Sequence, residues 1–420
     1  MKLGLIGAGS RGMIYSRYAH EMLGAEIVAI ADLIGERRDY AQRLFGTPKE
    51  MLFDDAMDLI HTVPQLDALI IASMDRDHYV QAMGALERGW DLLLEKPISP
   101  DPLECLRISR KAEEMGCSVT ICHVLRYSPF FMKIKEILDS GRLGKVVSID
   151  HTENVGNFHI AHSFVRGNWR NSDQSSPIIM QKSCHDMDIL VWLTGKKALK
   201  ISSAGSLTYF IPEKAPAGST ERCLDCPAAN QCRFDAKKAY LPAIGGWPST
   251  VLTQDQTEEG ILKALREGPY GRCVFRCDNN VCDHQTTLIE FEDGITAAFT
   301  LSGMTNQMHR TLHIMCEDGE LWGDDLTGEI RISSFRSNNL AEYTEETIHI
   351  GEVSGDHNGG DEGLVRDFAS CLEKGSSGAS RSSVQRSVES HLMACAAEKS
   401  RVTGQTVDML QYERELKNQL

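Results

Sequence analysis

Residues Gly7-Ala8-Gly9-Ser10-Arg11-Gly12 form a G-x-G-x-x-G sequence directly after a short apolar run, Leu3–Ile6. In such a loop the first glycine allows a tight turn and the second lets the backbone approach a pyrophosphate. The third lets the following helix pack closely on the strand. That helix then turns its positive N-terminus toward the phosphates. The spacing points to a dinucleotide, with Gly7, Gly9, Ser10, Arg11 and Gly12 as candidate contacts. Asp32 stands 20 residues after Gly12, at the end of a second apolar run, Glu26–Asp32. An acidic side chain there accepts from both ribose hydroxyls and repels a 2′-phosphate, so NAD is expected ahead of NADP. Arg37 and Arg38 read as a solvated helix face.

The thirteen cysteines suggest a second chemistry. Cys105, Cys117, Cys122, Cys184, Cys316, Cys371 and Cys395 are scattered and read as small buried hydrophobes. The other six cluster. Cys223-Leu224-Asp225-Cys226 is a C-x-x-C with Cys232 six residues further on, and Cys273, Cys277 and Cys282 follow, with His284 close behind. Four thiolates from two loops make a closed tetrahedral zinc site, a structural staple with no open position for catalysis. Cys223, Cys226, Cys232 and Cys277 are the expected ligands, with Cys273 as the substitute for Cys277. An iron–sulfur cluster is the less favoured occupant.

These residues need elements to hold them. Over residues 1–123, apolar runs at Leu3–Ile6, Glu26–Asp32, Leu66–Ala72, Asp91–Glu95 and Ser118–Cys122 read as strands buried on both faces. Helical segments such as Asp77–Arg88 and Pro102–Met115 lie between them, the first with Asp77 suited to cap it. Alternating strands and helices predict an α/β Rossmann domain with a parallel sheet. Residues 124–420 predict an α+β domain with a large, mostly antiparallel, open-faced sheet. Its helices fall at Ser128–Ser140, Lys182–Leu193, Glu362–Leu372 and Ser383–Arg401. Asp293-Gly294 and Asp318-Gly319, each between alternating segments, are hairpin signals. Residues 212–285, rich in Gly, Pro and Cys, read as an insertion with little core of its own.

The chain has 420 residues, enough for two or three domains, and a net charge of −15. That charge excludes a nucleic-acid binder, which needs a basic surface. With no room for a signal peptide and no membrane-length apolar run, a cytoplasmic protein is expected.

Glu95-Lys96-Pro97 stands at the end of the fifth apolar run. Together with the glycine loop, the chain strongly resembles the glucose–fructose oxidoreductase / inositol dehydrogenase / rhizopine-catabolism (Gfo/Idh/MocA) family. The resemblance extends through Ala72-Ser73-Met74-Asp75-Arg76-Asp77-His78, Arg126-Tyr127-Ser128-Pro129, Ser390-His391 and Ala396–Arg401. It implies that Lys96 lies beside the nicotinamide and the substrate hydroxyl, where it assists proton transfer. It also implies cofactor contacts at Ser73, Met74, Asp75, His78, Glu95 and Lys96.

The family's second catalytic segment is matched by Gln181-Lys182-Ser183-Cys184-His185-Asp186-Met187-Asp188, with Gln181 where the family usually has Asp. His185 is the expected base. On one helix Lys182, His185 and Asp188 would share a face, making Lys182 an additional catalytic cation. Arg126, Tyr127 and Asp188 are expected substrate contacts. Trp169 and Arg170 join them from the polar and aromatic stretch Asn154–Arg170, where rings suit sugar C–H faces and Arg suits anionic groups.

The function implied is NAD-dependent oxidation or reduction of a secondary hydroxyl on a sugar, polyol or glycoside. Two alternatives remain. One is a redox-neutral glycosidase that oxidises transiently and returns the hydride; the other is a binding protein without turnover. The resemblance also implies a homodimer or homotetramer.

Overall fold

The computed structural model describes residues 1–335, 342–351, 356–374 and 380–420. The early apolar runs become β1 (Lys2–Ile6), β2 (Glu26–Ala31), β4 (Ala68–Ile71), β5 (Asp91–Leu94) and β6 (Val119–Ile121), joined by a two-residue β3 (Leu52–Phe53). They form a parallel sheet in the order β3-β2-β1-β4-β5-β6. Leu3, Leu5, Ile70 and Leu93 are fully buried, as a sheet covered by helices on both faces requires. Strand order reverses between β1 and β4, so a crevice opens at their carboxyl ends. Asp101 caps the helix Pro102–Met115 through the Leu103 amide. Asp77 makes no side-chain cap on the helix His78–Glu87.

Among the described residues, nine strands make the second sheet: β7 (Val146–Asn154), β8 (Ala198–Ser206), β9 (His284–Phe291), β10 (Thr296–Ser302), β11 (His309–Cys316), β12 (Gly319–Asp324), β13 (Glu329–Ser334), β14 (Thr344–His349) and β15 (Val407–Asp408). Their order is β14-β13-β12-β11-β7-β10-β9-β8-β15, with β7 and β10 parallel and every other pair antiparallel. Both Asp-Gly signals fall at hairpins. At the first, Asp293 and Gly294 take φ of 59° and 75°, the positive values a tight hairpin demands. Alternation places His151 and Glu153 of β7 and Arg310 and Leu312 of β11 on the buried face. Register sets Arg310 opposite Glu153.

The excursion between β8 and β9 has more core than its composition suggests. Ala236, Tyr240, Ile261 and Leu265 pack with Cys223, while Phe210 packs against Tyr209, Phe234 and Phe275. Buried Arg166 ties it to the body by donating to the carbonyls of Arg272 and Phe234 and to Cys223 Sγ, at 2.8, 2.7 and 3.2 Å. The expected zinc or iron–sulfur staple finds no support in this arrangement. Cys223, Cys226, Cys232 and Cys273 border one small space, but Cys277 lies outside it and donates to the Cys273 carbonyl. Among the described residues, no group of three or more His, Cys, Asp or Glu side chains is disposed to hold a metal ion.

The C-terminal chain returns to the first sheet. The helix Gly360–Lys374 packs on the helix Ser10–Leu23, and its Leu364, Val365 and Phe368 join the core around Leu3 and Tyr15. The helix Val384–Thr403 packs on Pro102–Met115, Cys184–Thr194 and β8. No helix among the described residues is long and apolar enough to cross a membrane.

Candidate active site

A cleft of about 1800 Å³ begins at the glycine loop and extends to the inner face of the second sheet. Gly7 has a φ of +86°, and a Cβ there would stand 2.4 Å from the Ala72 carbonyl. A Cβ on Gly12 would stand 2.0 Å from the Gly7 carbonyl. Gly9 differs, because its nearest neighbour, Arg37 Nη1, is 3.8 Å from such an atom. The helix Ser10–Leu23 starts beside that open space with no side-chain cap, leaving amide donors free for an anion. This cradle fits a pyrophosphate.

Asp32 lines the cleft, its carboxylate oxygens accepting from the amides of Ala8 and Ile34 at 2.8 Å each. Ser10, Ser73, Met74 and Asp75 also line it. Ser73 donates to Gln81 Oε1 (2.6 Å), and Asp75 accepts from the Ser176 hydroxyl. Arg11 reaches the cleft too, but its guanidinium is engaged by Glu95, Tyr15 and Asp361. His78 does not line the cleft. It is buried, with Nδ1 2.8 Å from the Pro97 carbonyl.

Glu95 accepts from the Lys96 amide (2.6 Å) and the Tyr15 hydroxyl (2.7 Å), which fixes the start of the Lys96–Pro97 turn. The bond between these two residues is cis. On the other side of the turn, His391 Nε2 accepts from the Ile98 amide at 2.9 Å. Lys96 Nζ crosses the cleft and donates to the Gln181 carbonyl at 2.8 Å.

Lys182 and His185 line the same cleft, but not from one helix. A short helix Ile178–Gln181 ends before Lys182, and the next begins at Cys184. The expected common face with Asp188 is therefore absent. Asp188 faces away from the cleft into a buried bidentate pair with Arg126 (2.6 and 2.7 Å), and Arg126 also donates to the Arg381 carbonyl. Lys182 Nζ instead lies 3.3 Å from Glu153 on the second sheet. Burial lowers the pKa of Lys182 against the pull of Glu153. Glu153 is raised by burial against Arg310 and Lys182. Burial, with Lys96 and His123 nearby, holds His185 well below the ordinary histidine range, so its imidazole is neutral. Asp186 is pushed up by burial, but Arg310 and His151 outweigh this and keep it ionised.

Of the other expected substrate contacts, Trp169 lines the cleft, whereas Arg170 is paired with Asp278 (2.7 and 3.1 Å) and Tyr127 donates to Asp367 (2.8 Å). His159 and His162 line it from a helical segment that widens to a π-helical run at Ile160–Arg166, a distortion that recurs at functional sites. Sequence reasoning missed Trp247, Tyr270, Arg310 and His357. The Trp247 ring lies 5.4–5.7 Å from those of Phe158, His159 and His162. The isolated Trp247-Pro248 in a segment without periodicity was the one available signal.

A parallel dinucleotide fold joined to a sheet-backed cleft, with a lysine reaching across it, defines the class of two-domain nicotinamide-dependent oxidoreductases. Residues 1–123 match the family model for an oxidoreductase family with an NAD-binding Rossmann fold, and residues 135–409 match that of its C-terminal alpha/beta domain. The chain belongs to the Gfo/Idh/MocA oxidoreductase family.

Among curated relatives, YteT of Bacillus subtilis, an oxidoreductase by name, is 24% identical over 326 residues, covering 75% of this chain and 74% of that one. Inositol 2-dehydrogenase 4 of Saccharopolyspora erythraea is 27% identical over 228 residues, covering 53% and 61%. Several curated relatives are thus spanned over little more than half their length. Levoglucosan dehydrogenase in complex with NADH superposes with a TM-score of 0.71 at 17% identity, covering 97% of this chain and 99% of that one. An Agrobacterium radiobacter oxidoreductase in complex with NAD+, L-tartaric acid and magnesium superposes with a TM-score of 0.69 at 15% identity, covering 98% and 99%.

Proposed function

We propose that this protein is an NAD-dependent dehydrogenase acting on a secondary hydroxyl of a sugar, polyol or glycoside. The observation that carries the reading is Lys96, held between the glycine-loop domain and the Gln181 carbonyl, with His185 and Lys182 on the facing wall. When bound, the nicotinamide supplies the hydride acceptor. Gly7, Gly9, Gly12 and the uncapped helix hold the pyrophosphate, and Asp32 takes the ribose and disfavours a 2′-phosphate. With one ammonium proton on Gln181, Lys96 keeps two donors for the reacting oxygen. Neutral His185 is placed to hydrogen-bond the reacting hydroxyl, while Lys182 and Arg310 add positive charge that stabilises a developing alkoxide. Trp169 and Trp247 suit the C–H faces of a sugar ring. Relatives named for inositol and levoglucosan support this substrate class.

We assign residues 1–123 to the cofactor domain and 124–420 to the substrate domain, with a homo-oligomer formed through the outer face of the second sheet, where Leu288 and Trp322 are exposed. The test supplies NAD+ with a polyol and glycoside panel that includes myo-inositol and levoglucosan. Reduced nicotinamide should accumulate, and Lys96→Met should lower kcat by about 10²–10⁴-fold while NAD+ still binds. Aglycone release without net reduced cofactor would replace this reading with the redox-neutral one.

A further inference from the structure

His357 enters the cleft from chain that belongs to neither sheet. It and Asn358 lie just before the helix Gly360–Lys374, and both line the cleft. Both hold left-handed backbone, with φ/ψ of 47°/43° and 51°/48°. Left-handed backbone is uncommon for non-glycine residues, although His and Asn are among those enriched in it, and such conformations gather at functional sites.

The His357 ring is held by Asp361. Its carboxylate oxygen lies 2.9 Å from His357 Nδ1. The Asp361 side chain has no exposed surface and is gripped through both oxygens by Arg11. Burial pushes its carboxyl up, but Arg11 and His357 outweigh that and hold it at about 2. An ionised carboxylate only accepts hydrogen bonds, so Nδ1 must donate. Arg11 Nη1 also stands 3.4 Å from Nδ1, but the carboxylate contact is the shorter at 2.9 Å, and two acceptors do not approach so closely, so the proton sits on Nδ1. Nε2 is then left with a free lone pair. The His357 side chain is 39% exposed, and its ring centroid is 6.4 Å from that of His185.

The two imidazoles are unequally equipped. The His185 ring is surrounded by Lys96, His123, Arg310 and His357, and its Nδ1 is buried without a hydrogen-bond partner. Among the described residues, no carboxylate is hydrogen-bonded to His185 to stabilise an imidazolium. His357 faces Arg11, Lys182 and His185, and its partial removal from water within the cleft first, then Arg11 and Lys182, lower its pKa against the pull of Asp361. Once it takes a proton, it has a fixed carboxylate to stabilise the charge. A base oriented by a third group is the arrangement that proton transfer requires.

We propose that His357, oriented by Asp361, is a proton-transfer residue for the substrate hydroxyl. The proposal rests on the dehydrogenase reading. In the oxidative direction the O–H bond breaks and its proton passes to His357 Nε2. The O–H electron pair forms the carbonyl as the C–H hydrogen leaves with its pair to an oxidised nicotinamide. In the reverse direction the imidazolium returns the proton.

The test has two arms. In protein labelled with ¹⁵N-histidine and free of substrate, long-range ¹⁵N–¹H correlation should give the His357 signal, assigned by its loss in His357→Asn, as the Nδ1–H tautomer. Asp361→Asn should shift that signal. An Nε2–H tautomer would overturn the proposal. In kinetics on the same alcohol panel, His357→Asn, which tolerates left-handed backbone, should lower kcat by about 100-fold or more. KM and NAD+ affinity should stay within about twofold, and one inflection should vanish from the pH profile of kcat/KM. His357→Gln serves as a second variant, with circular dichroism to verify folding. Activity within about fivefold of wild type, or an unchanged pH profile, would also overturn it. If the wild type oxidises no alcohol on the panel, the dehydrogenase reading fails and this catalytic role fails with it. The tautomer measurement would still report whether the His–Asp pair itself exists.

Discussion

Replacing Asp188 with Asn should destabilise the protein rather than weaken substrate binding. The Asp188 side chain is 1% exposed and accepts from Arg126, itself 4% exposed, at 2.6 and 2.7 Å. The partners left to Arg126 would be the Arg381 carbonyl and the Trp192 ring at 5.9 Å, and neither carries a negative charge. Breaking one side of a buried ion pair costs about 3–5 kcal/mol, whereas replacing both partners by apolar groups is often near neutral. For a chain of 420 residues, the unfolding entropy is about 0.9 kcal/mol per kelvin if the chain melts as one unit. The expected loss in Tm is therefore about 3–6 °C. Arg126→Met should cost as much, and Arg126→Met with Asp188→Met should recover most of it. Calorimetric melting with and without NAD+, alongside KM on any turned-over polyol, separates the roles. A raised KM at unchanged Tm would refute the structural assignment and restore both residues to the substrate site.

Gly9→Ala should fold with wild-type stability, since nothing lies within 3.8 Å of the added carbon, yet bind NAD+ at least about tenfold more weakly by titration calorimetry. Undiminished affinity would place the pyrophosphate elsewhere. Acid should destabilise the protein before its carboxylates titrate. Burial and His123 push His391 down to about 3, and burial and Arg166 push His162 down to about 4, whereas an unfolded histidine titrates near 6.5. Their stabilising effect is whole above about pH 6.5 and is lost as pH falls toward the folded values, by up to about 1.4 kcal/mol per pH unit for each. Melting curves between pH 7 and 4 should show this decline, and it should flatten in His391→Gln. Trp322→Glu with Leu288→Glu should lower the mass found by light scattering if the outer sheet face joins subunits. Unchanged mass would assign the oligomer another face.

Much of the fold was legible because it is written locally. Gly7 and Gly12 sit where a Cβ would strike backbone, and Asp293-Gly294 takes the φ values its turn requires. Such constraints act between neighbours and leave their mark in adjacent residues. The charged side chains were legible only as candidates. Arg170 and Asp278 lie 108 residues apart, and Arg126 and Asp188 lie 62 apart. Nothing nearby reveals that such a residue is already paired. The stretch from Lys182 to Leu193 has helical periodicity throughout, but the helix breaks at Lys182–Ser183, where Lys182 reaches toward Glu153. The cysteine spacing resembled a metal motif, while the hydrophobic packing that holds the same segment had no periodic signature. His357 offered none either, since its partner matters only after Arg11 has fixed that partner in place.

The grip of Asp361 on Arg11 spans 350 residues of sequence. A chain leaving the ribosome presents its glycine loop 350 residues before the carboxylate that grips Arg11. Leu364, Val365 and Phe368, which complete the core around Leu3 and Tyr15, arrive just as late. Until then the nascent N-terminal portion carries an uncovered apolar patch and a loop arginine held by Glu95 and Tyr15 alone. A chain truncated before residue 360 should therefore expose that patch and be a client for chaperones rather than a free-standing cofactor domain.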